Sequence, residues 1–220
     1  MTTLAVVRVV VFDFDGTLAD TNQAKHDAYA TVLAGLGVEP ELCSRTAAEL
    51  WQDDRYGVIR QILERWRGKR PADSDVDRLA AAYGDICERA AIDRPEMPGA
   101  VDALATLNQT CAAYMNSATP EVSLRRIVHA RGWDMYFRDV LGRPRTKVDN
   151  LRTIIAREAV AAENVIMVGD GIVDRDAADE VGTGFVAAGL FPAAARRPGE
   201  RWVDDLRQLP PMIAAEAARA

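Results

Sequence analysis

One stretch near the start of the sequence constrains the fold most: Val9-Val10-Val11-Phe12-Asp13-Phe14-Asp15-Gly16-Thr17, an apolar run that ends in two carboxylates. Such β-branched runs are typical of strands buried on both faces, as in a parallel sheet. In open parallel sheets the chemistry lies beyond the carboxyl ends of the strands, where Asp13 and Asp15 fall. Two neighbouring carboxylates repel unless a cation or a shared proton relieves them. The stretch therefore predicts an oxygen-rich site for a hard cation such as Mg²⁺.

Two simpler interpretations of this stretch are weaker. A calcium-binding loop also begins Asp-x-Asp, but it requires an incoming helix and a glycine at its sixth position. Here a strand comes in, and Gly16 is the fourth residue counted from Asp13. An ordinary turn after a strand would explain Asp15 and Gly16 but would leave Asp13 without a role. A catalytic acidic site is the favoured interpretation.

The composition excludes several classes of protein. Of the 220 residues, 49% are hydrophobic and 27% are charged, as in soluble globular proteins. The net charge of -6 argues against a nucleic-acid partner. We expect no membrane association, because no apolar segment is long enough to span a bilayer. The N-terminus lacks a basic flank and a small-residue cleavage site, so residues 4–11 are predicted to form a strand and not a signal peptide.

Cysteine and histidine are too few and too scattered for several kinds of site. Cys43, Cys87 and Cys111 are widely spaced, which predicts buried thiols in a reducing, cytoplasmic compartment. His26 and His129 are the only histidines, too few for a histidine-rich zinc site. The serine elbow Gly-x-Ser-x-Gly of a Ser-His-Asp hydrolase does not occur.

The pattern of apolar residues predicts two domains. From about residue 20 to residue 94 it indicates only helices, over 22–36, 46–51, 56–66 and 74–91. Strands are predicted over 112–115, 137–141, 165–168 and 184–188, alternating with helices over 101–107, 121–130, 147–161 and 177–181. This alternation indicates an α/β fold with a doubly wound parallel sheet. We therefore expect an α/β core made of residues 1–19 and 95–220, and an inserted helical domain of residues 20–94.

Polar side chains stand at four predicted strand ends or loops: Asp13 and Asp15, Ser117, Lys147, and Asp170 with Asp174. Taken separately, several have ordinary explanations. Ser117 could cap the following helix, Lys147 could be a surface lysine, and Asp170 could be a turn residue. Their joint occurrence in this order is what favours a common site.

Together these residues resemble the four sequence motifs of the haloacid dehalogenase (HAD) superfamily. The segment DFDGT resembles the first motif, Ser117 the second, Lys147 the third, and GDGIVD the GDxxxD form of the fourth. The helical segment after the first motif resembles the small α-helical (C1) cap of that superfamily, and Met97-Pro98-Gly99 resembles the linker returning from it. The resemblance implies a Rossmannoid, HAD-like core with an inserted cap, similar to phosphoglycolate phosphatases and β-phosphoglucomutases.

The resemblance also implies a mechanism. Asp13 would be the nucleophile that becomes an aspartyl-phosphate, and Asp15 the acid and base that also offers its backbone carbonyl to Mg²⁺. Asp13, Asp170 and Asp174 would complete the metal site, with Asp174 either a ligand or a partner of the ligands. Lys147 would neutralise the nucleophile and a phosphate oxygen, and Ser117 would donate a hydrogen bond. We expect the phosphate ester to contact residues of the core and of the cap: Gly16, Thr17, Lys25, Arg55, Ser117, Ala118 and Lys147.

Several alternatives stay open at this stage. A sugar-phosphate mutase of the superfamily typically carries a histidine on the first cap helix, where this chain has Lys25, with His26 one residue later. A phosphatase acting on a phosphoglycolate-like or sugar-phosphate substrate is therefore preferred. A phosphorelay receiver also accepts phosphate on an aspartate, but it places that aspartate on a later strand and needs no helical insert. A non-enzymatic binding protein is a third possibility, and we expect a monomer or a weak homodimer.

The second motif has an uncertainty of one residue, since Asn116 precedes Ser117. We prefer Ser117, because Ser-Ala-Thr-Pro resembles the small-residue, proline-terminated turn of the family.

Overall fold

The computed structural model describes residues 6–50 and 53–217. The chain forms two compact units. One contains the residues up to Asp20 and those from Arg94 onward, and the other is Thr21–Asp93.

A six-stranded parallel sheet forms the centre of the first unit. Its strands, in chain order, are β1 (Val9–Phe12), β2 (Ala112–Pro120), β3 (Asp139–Arg143), β4 (Val165–Gly169), β5 (Gly184–Ala188) and β6 (Trp202–Val203). Their spatial order is β3-β2-β1-β4-β5-β6, so the chain winds outward first to one side of β1 and then to the other. The winding direction reverses between β1 and β4, and ligands of open parallel sheets generally bind at such a point, beyond the carboxyl ends of the strands. The doubly wound α/β fold predicted from the sequence is confirmed.

The helices of this unit are α5 (Ala100–Leu107), α6 (Glu121–Ala130), α7 (Lys147–Glu158), α8 (Ile172–Val181) and α9 (Leu209–Ala217). Every residue of β1 and of β4 is buried, which explains why both strands consist of apolar residues. Val9 and Val11 pack with Leu151 and Ile154 of α7 on one face of the sheet. Full burial of each such side chain contributes about 1.5–3 kcal/mol, so this face anchors α7 firmly against the strand that carries the first motif.

The described residues of the second unit form four α-helices, α1 (Asn22–Leu33), α2 (Pro40–Glu49), α3 (Arg55–Arg67) and α4 (Asp73–Asp93), and a short 3-10 helix at Ala34–Leu36. Their core contains Ile59, Ile62 and Leu79, and Tyr29 stacks on Tyr83 with 4.4 Å between the ring centroids. No strand occurs among the described residues of this unit, in agreement with the helical pattern.

Several predicted element boundaries were wrong. The helix predicted over 46–51 begins at Pro40, since proline suits the first turn of a helix, and residues 51 and 52 lie outside the described part of the chain. The helix predicted over 177–181 begins at Ile172, and the one predicted over 147–161 ends at Glu158, because Ala159 adopts a left-handed conformation.

The first strand covers Val9–Phe12 instead of 4–11, of which residues 4 and 5 are not described. The third strand lies at Asp139–Arg143 instead of 137–141, and β6 was not predicted.

Within the described residues, no helix is long and apolar enough to cross a membrane.

Candidate active site

The site begins where β1 ends. The Asp13 N–H donates to the Val168 carbonyl at 2.9 Å, which holds the backbone of Asp13 against β4. The chain then makes a tight turn, in which the N–H groups of Leu18 and Ala19 both donate to the Phe14 carbonyl. Gly16 has φ +74 within this turn, a conformation that favours glycine. The turn fixes the backbone between the two carboxylates.

Lys147 is the first residue of α7. The helix starts there because the Thr146 hydroxyl caps it by accepting the Asp149 N–H at 3.1 Å. The Lys147 Nζ lies 2.9 Å from Asp13 Oδ1 and also donates to Asp174 Oδ1. Burial by itself would lower the pKa of Lys147, but the carboxylates of Asp13 and Asp174 outweigh burial and raise it. The lysine is therefore a fixed cation between two acids from different parts of the chain.

Asp174 stands in the first turn of α8, and its side chain is 1% exposed. Its Oδ2 accepts the Gly171 N–H at 3.1 Å, so the carboxylate caps the helix that carries it. A Cβ at position 169 would collide with the Asp174 carboxyl, which explains the glycine that ends β4. Burial raises the pKa of Asp174 to about 7, although the Lys147 ammonium acts in the opposite direction.

Three carboxylates form a group that suits a divalent cation. Ligand oxygens of Asp13, Asp170 and Asp174 all lie within 4.8 Å of one another. Oxygen donors of this kind are what Mg²⁺ prefers, and a bound cation relieves the repulsion that one lysine only partly compensates. The residues present therefore fit the predicted metal site.

Thr17, which was predicted to contact the substrate, is buried and forms hydrogen bonds with Asp170, one of the three clustered carboxylates. Its Oγ1 accepts the Asp170 N–H at 3.0 Å and lies 3.4 Å from Asp170 Oδ1. The hydroxyl thus connects the turn after β1 to the end of β4, and it orients a carboxylate of the candidate metal site.

The end of β2 contributes the residues of the second motif. Ser117 is buried, and its Oγ accepts the Thr119 N–H at 3.1 Å, which leaves its own hydroxyl proton to be donated. Ala118 is exposed beside it. Thr119 was not singled out in the sequence, yet its Oγ1 donates to Asp15 Oδ2 at 2.9 Å. Only the turn Ser-Ala-Thr-Pro, already noted for Ser117, hinted at this threonine.

Asn116, the alternative for the second motif, has both ends of its amide engaged. Its Nδ2 donates to the Lys147 carbonyl at 2.9 Å, and its Oδ1 accepts from Asn150 Nδ2 at 2.9 Å. The apolar spacing of α7 had indicated nothing special about Asn150.

The remaining predicted substrate residues, Lys25 and Arg55, lie in the helical unit. The Tyr83 hydroxyl donates to the Lys25 carbonyl at 3.2 Å, and the Arg55 guanidinium lies 5.8 Å from the centroid of the Tyr83 ring. Tyr83, which no sequence motif singled out, therefore contacts both residues. His26 Nε2 lies 3.3 Å from the Ser44 carbonyl oxygen of the same unit.

Comparisons with known proteins agree with this architecture. No curated protein is a significant match. A solved structure from Haemophilus somnus, described as a predicted phosphoglycolate phosphatase, superimposes with a TM-score of 0.78 at 18% identity, over 95% of this chain and 99% of that one. The CbbY protein of Rhodobacter sphaeroides, solved with phosphate, gives a TM-score of 0.74 at 20% identity, covering 92% and 96% of the two chains. A HAD-hydrolase of Bacillus subtilis, YfnB, solved with magnesium, gives 0.74 at 16% identity, covering 95% and 99%.

These likenesses concern the fold. The family described as haloacid dehalogenase-like hydrolase matches residues 7–182, a span that includes the whole helical unit and all four motifs. The chain belongs to the haloacid dehalogenase-like hydrolase family.

Proposed function

We propose that this chain is a Mg²⁺-dependent phosphatase that hydrolyses a small phosphorylated metabolite through an aspartyl-phosphate. The observation that carries the proposal is the position of the Lys147 ammonium, 2.9 Å from Asp13 Oδ1 and bonded to Asp174, beside three clustered carboxylates. A cation in this place holds a carboxylate in one orientation and compensates its charge. That is what a carboxylate needs in order to attack a phosphate dianion.

Asp13, Asp170 and Asp174, with the backbone carbonyl of Asp15, would hold the metal ion. When bound, Mg²⁺ would supply neutralisation of the negative charge on the phosphate ester. Thr17 would keep Asp170 in place through its hydrogen bond to the Asp170 N–H.

Asp13 acts as the nucleophile in this proposal. Lys147 holds Oδ1, and a carboxylate oxygen of Asp13 attacks phosphorus. A phosphorus–oxygen bond forms to Asp13 as the bond to the leaving alcohol breaks. The Ser117 hydroxyl donates a hydrogen bond to a phosphate oxygen. The backbone of Gly16 and of Ala118 also contacts the phosphate.

Asp15 moves the protons. It gives a proton to the departing alcohol oxygen, and then takes one from the water that attacks phosphorus and releases inorganic phosphate and Asp13. The hydrogen bond from Thr119 Oγ1 to Asp15 Oδ2 holds the Asp15 carboxyl in one orientation. This orientation favours proton transfer between Asp15 and the reacting oxygen atoms.

Specificity is proposed to reside in the helical unit, which would act as the cap. Arg55 and Lys25 would bind a negatively charged group on the leaving alcohol, as in a phosphoglycolate-like or sugar-phosphate substrate. A mutant of the CbbY protein of Rhodobacter sphaeroides has also been solved in complex with xylulose-(1,5)bisphosphate. Arg60, on the same helix as Arg55, is less suited to this role, because its guanidinium donates to the Asp73 carboxylate at 2.5 Å.

A phosphatase is favoured over a mutase. The mutase pattern needs a histidine on the first helix of the cap, and this chain has Lys25 at that position. The neighbouring His26 contacts the Ser44 carbonyl of its own unit. A cytoplasmic enzyme without nucleic-acid or membrane partners, monomeric or weakly dimeric, is part of the same proposal.

The test is turnover of p-nitrophenyl phosphate with Mg²⁺, compared with the same protein in a chelator. Asp13→Asn should reduce the rate by more than about a thousandfold, because a covalent nucleophile is lost. Asp102→Asn, on the exposed surface of α5, is the matched control and should keep full activity. A folded Asp13→Asn variant that retains more than a small fraction of the rate would refute the nucleophile assignment. A panel of phosphorylated metabolites, including phosphoglycolate and sugar phosphates, then identifies the substrate class.

A further inference from the structure

Two fully buried asparagines lie beside the candidate active site without a place in the mechanism above. Asn116 is in β2 and Asn150 is in the first turns of α7, and both have 0% relative exposure. Asparagine is rarely buried so completely, since its amide loses its hydrogen bonds to water. A pair of them in one place needs a reason.

The hydrogen bonds of this pair can run in only one direction. The Lys147 carbonyl is an acceptor only, so Asn116 must present its Nδ2 to it, at 2.9 Å. The Oδ1 of Asn116 then faces Asn150, which must present its own Nδ2, also at 2.9 Å. Neither amide can be turned over without placing two acceptors or two donors together. The pair therefore holds the Lys147 peptide in a defined position.

The pair connects three parts of the site. Phe12 of β1 is in register with Met115 of β2, so the residues that follow, Asp13 and Asn116, end up side by side. Asn116 in turn bonds the backbone of Lys147, whose ammonium contacts Asp13. The strand next to the proposed nucleophile thus holds the main chain of the lysine that orients it.

The arrangement is not what stability alone would select. Among the residues that the structure describes, Asn150 Oδ1 is buried and has no hydrogen-bond partner. A buried acceptor left without a donor costs about 1–3 kcal/mol, and apolar residues of similar size at both positions would avoid that cost. The hydrogen bond that Asn150 donates to Asn116 therefore explains why position 150 is an asparagine.

We infer that Asn116 and Asn150 are positioning residues that fix Lys147 against Asp13. The inference rests on the proposed function, in which Lys147 orients the nucleophile. Neither asparagine touches the substrate. They act through the backbone of the first residue of α7.

Asn116→Leu and Asn150→Leu test this inference, with p-nitrophenyl phosphate and Mg²⁺ as the assay. Asn116→Leu should lower kcat by about tenfold or more, since small displacements of catalytic groups have effects of this size, while KM changes by less than about threefold. Asn150→Leu leaves the bond from Asn116 to Lys147 in place, so its loss of kcat should be smaller. The melting temperature should change little, because the variant removes one unpaired buried acceptor, Asn150 Oδ1, and leaves another, Asn116 Oδ1. This variant also keeps the test available if Asn116→Leu fails to fold.

Leu104→Ala is the control. Leu104 is fully buried on α5, a helix that carries no residue of the proposed site, so this variant should lower the melting temperature and leave kcat unchanged at a temperature where it is folded. If every leucine variant that folds keeps kcat within about twofold of the wild type, the inference is overturned, whereas the phosphatase proposal stands.

A crystal structure of Asn150→Leu or Asn116→Leu gives a readout that does not need activity. The Lys147 Nζ should move away from Asp13 Oδ1, from the present 2.9 Å, most in Asn116→Leu. An unchanged contact in both variants would overturn the inference even if the wild-type protein proved inactive on every ester tested. Failure of the proposed function would instead appear as a wild type without Mg²⁺-dependent turnover.

Discussion

The N–H of Asp170, just beyond β4, donates to the hydroxyl of Thr17, in the turn after β1, at 3.0 Å. The hydroxyl is buried, and it joins the two strand ends between which the sheet changes its winding direction. A carboxylate proposed to bind Mg²⁺ is thus held by a residue of the first motif.

Thr17→Val should weaken the use of Mg²⁺. Valine keeps the shape of threonine but has no hydroxyl. The Asp170 N–H then lacks its acceptor and Asp170 Oδ1 lacks its donor, so the carboxylate is no longer held in one orientation. We expect the Mg²⁺ concentration for half-maximal p-nitrophenyl phosphatase activity to rise about tenfold, as is common when a partner of a metal ligand is removed. Thr153→Val is the control, since the Thr153 hydroxyl donates to the Asp149 carbonyl on the exposed side of α7. Equal Mg²⁺ dependence in both variants would contradict the assignment of Asp170 to the metal.

Asp15→Asn should separate the two halves of the reaction. p-Nitrophenolate leaves without needing a proton, so the first step should survive, whereas hydrolysis of the aspartyl-phosphate should lose its base. Mixing with p-nitrophenyl phosphate should therefore give a burst of about one product per protein molecule, followed by slow turnover. The trapped protein should carry the mass of one phosphoryl group, and Asp13→Asn/Asp15→Asn should carry none. Steady turnover without a burst and without added mass would exclude Asp15 as the base of the second step.

Asp139 should make the fold sensitive to acid. Burial tends to raise the pKa of this carboxyl, but Arg125, at 2.7 Å, and Arg157 outweigh burial and lower it. A carboxyl whose pKa is lowered by folding stabilises the folded state above its unfolded pKa of about 3.9, and this contribution is lost as the pH falls through the folded pKa.

Asp139→Asn should therefore be less stable than the wild type by about 1 kcal/mol at pH 7, with the difference closing below about pH 4. Urea unfolding between pH 3 and pH 7 measures both. Asp85→Asn, at an exposed site in the middle of α4, serves as the control and should follow the wild-type curve. A stability difference for Asp139→Asn that does not change with pH would show that the arginine contacts contribute nothing through charge.

Catalytic and metal-binding candidates could be predicted from the sequence where an acidic residue directly follows an apolar run typical of a strand. Asp13 and Asp170 each follow an apolar run, and such runs are typical of buried parallel strands, whose carboxyl ends lie at the same edge of the sheet. Lys147 and Ser117 gained their interpretation only from the order of the motifs. The structure then brings Lys147 to Asp13 through the docking of α7, a contact that no local pattern encodes.

Other parts of the site could not be predicted, for physical reasons. Asn116 and Asn150 are polar residues, and polarity in a local pattern indicates exposure. Their burial follows from a mutual hydrogen bond between β2 and α7. Thr119 contacts Asp15 because β2 continues five residues beyond its apolar part, with a register shift after Asn116. The start of α8 was missed because Asp174, taken as a metal ligand or a partner of the ligands, also caps that helix.

Arg55 should affect the choice of substrate. Its guanidinium lies over the ring of Tyr83, while its Nη1 is so close to Gly84 that a Cβ there would lie 2.6 Å from it. The ring of Tyr83 does not neutralise the charge of Arg55, and Gly84, which has no side chain, leaves room for the guanidinium. Other arginines of α3 are paired with carboxylates, as Arg65 is with Glu49 at 2.6 Å.

Arg55→Ala should therefore raise KM for phosphoglycolate, whose leaving group carries a carboxylate, by about tenfold, because one charged hydrogen-bond partner of the substrate is lost. KM for p-nitrophenyl phosphate should change by less than about twofold, since that leaving group has no such anion to bind. Arg65→Ala provides the comparison: it removes an arginine from the same helix and should leave both KM values unchanged. If Arg55→Ala raises KM equally for the two substrates, Arg55 does not determine specificity. Its role would then be to stabilise the helical unit, and thermal unfolding of the same variant would show a lower melting temperature.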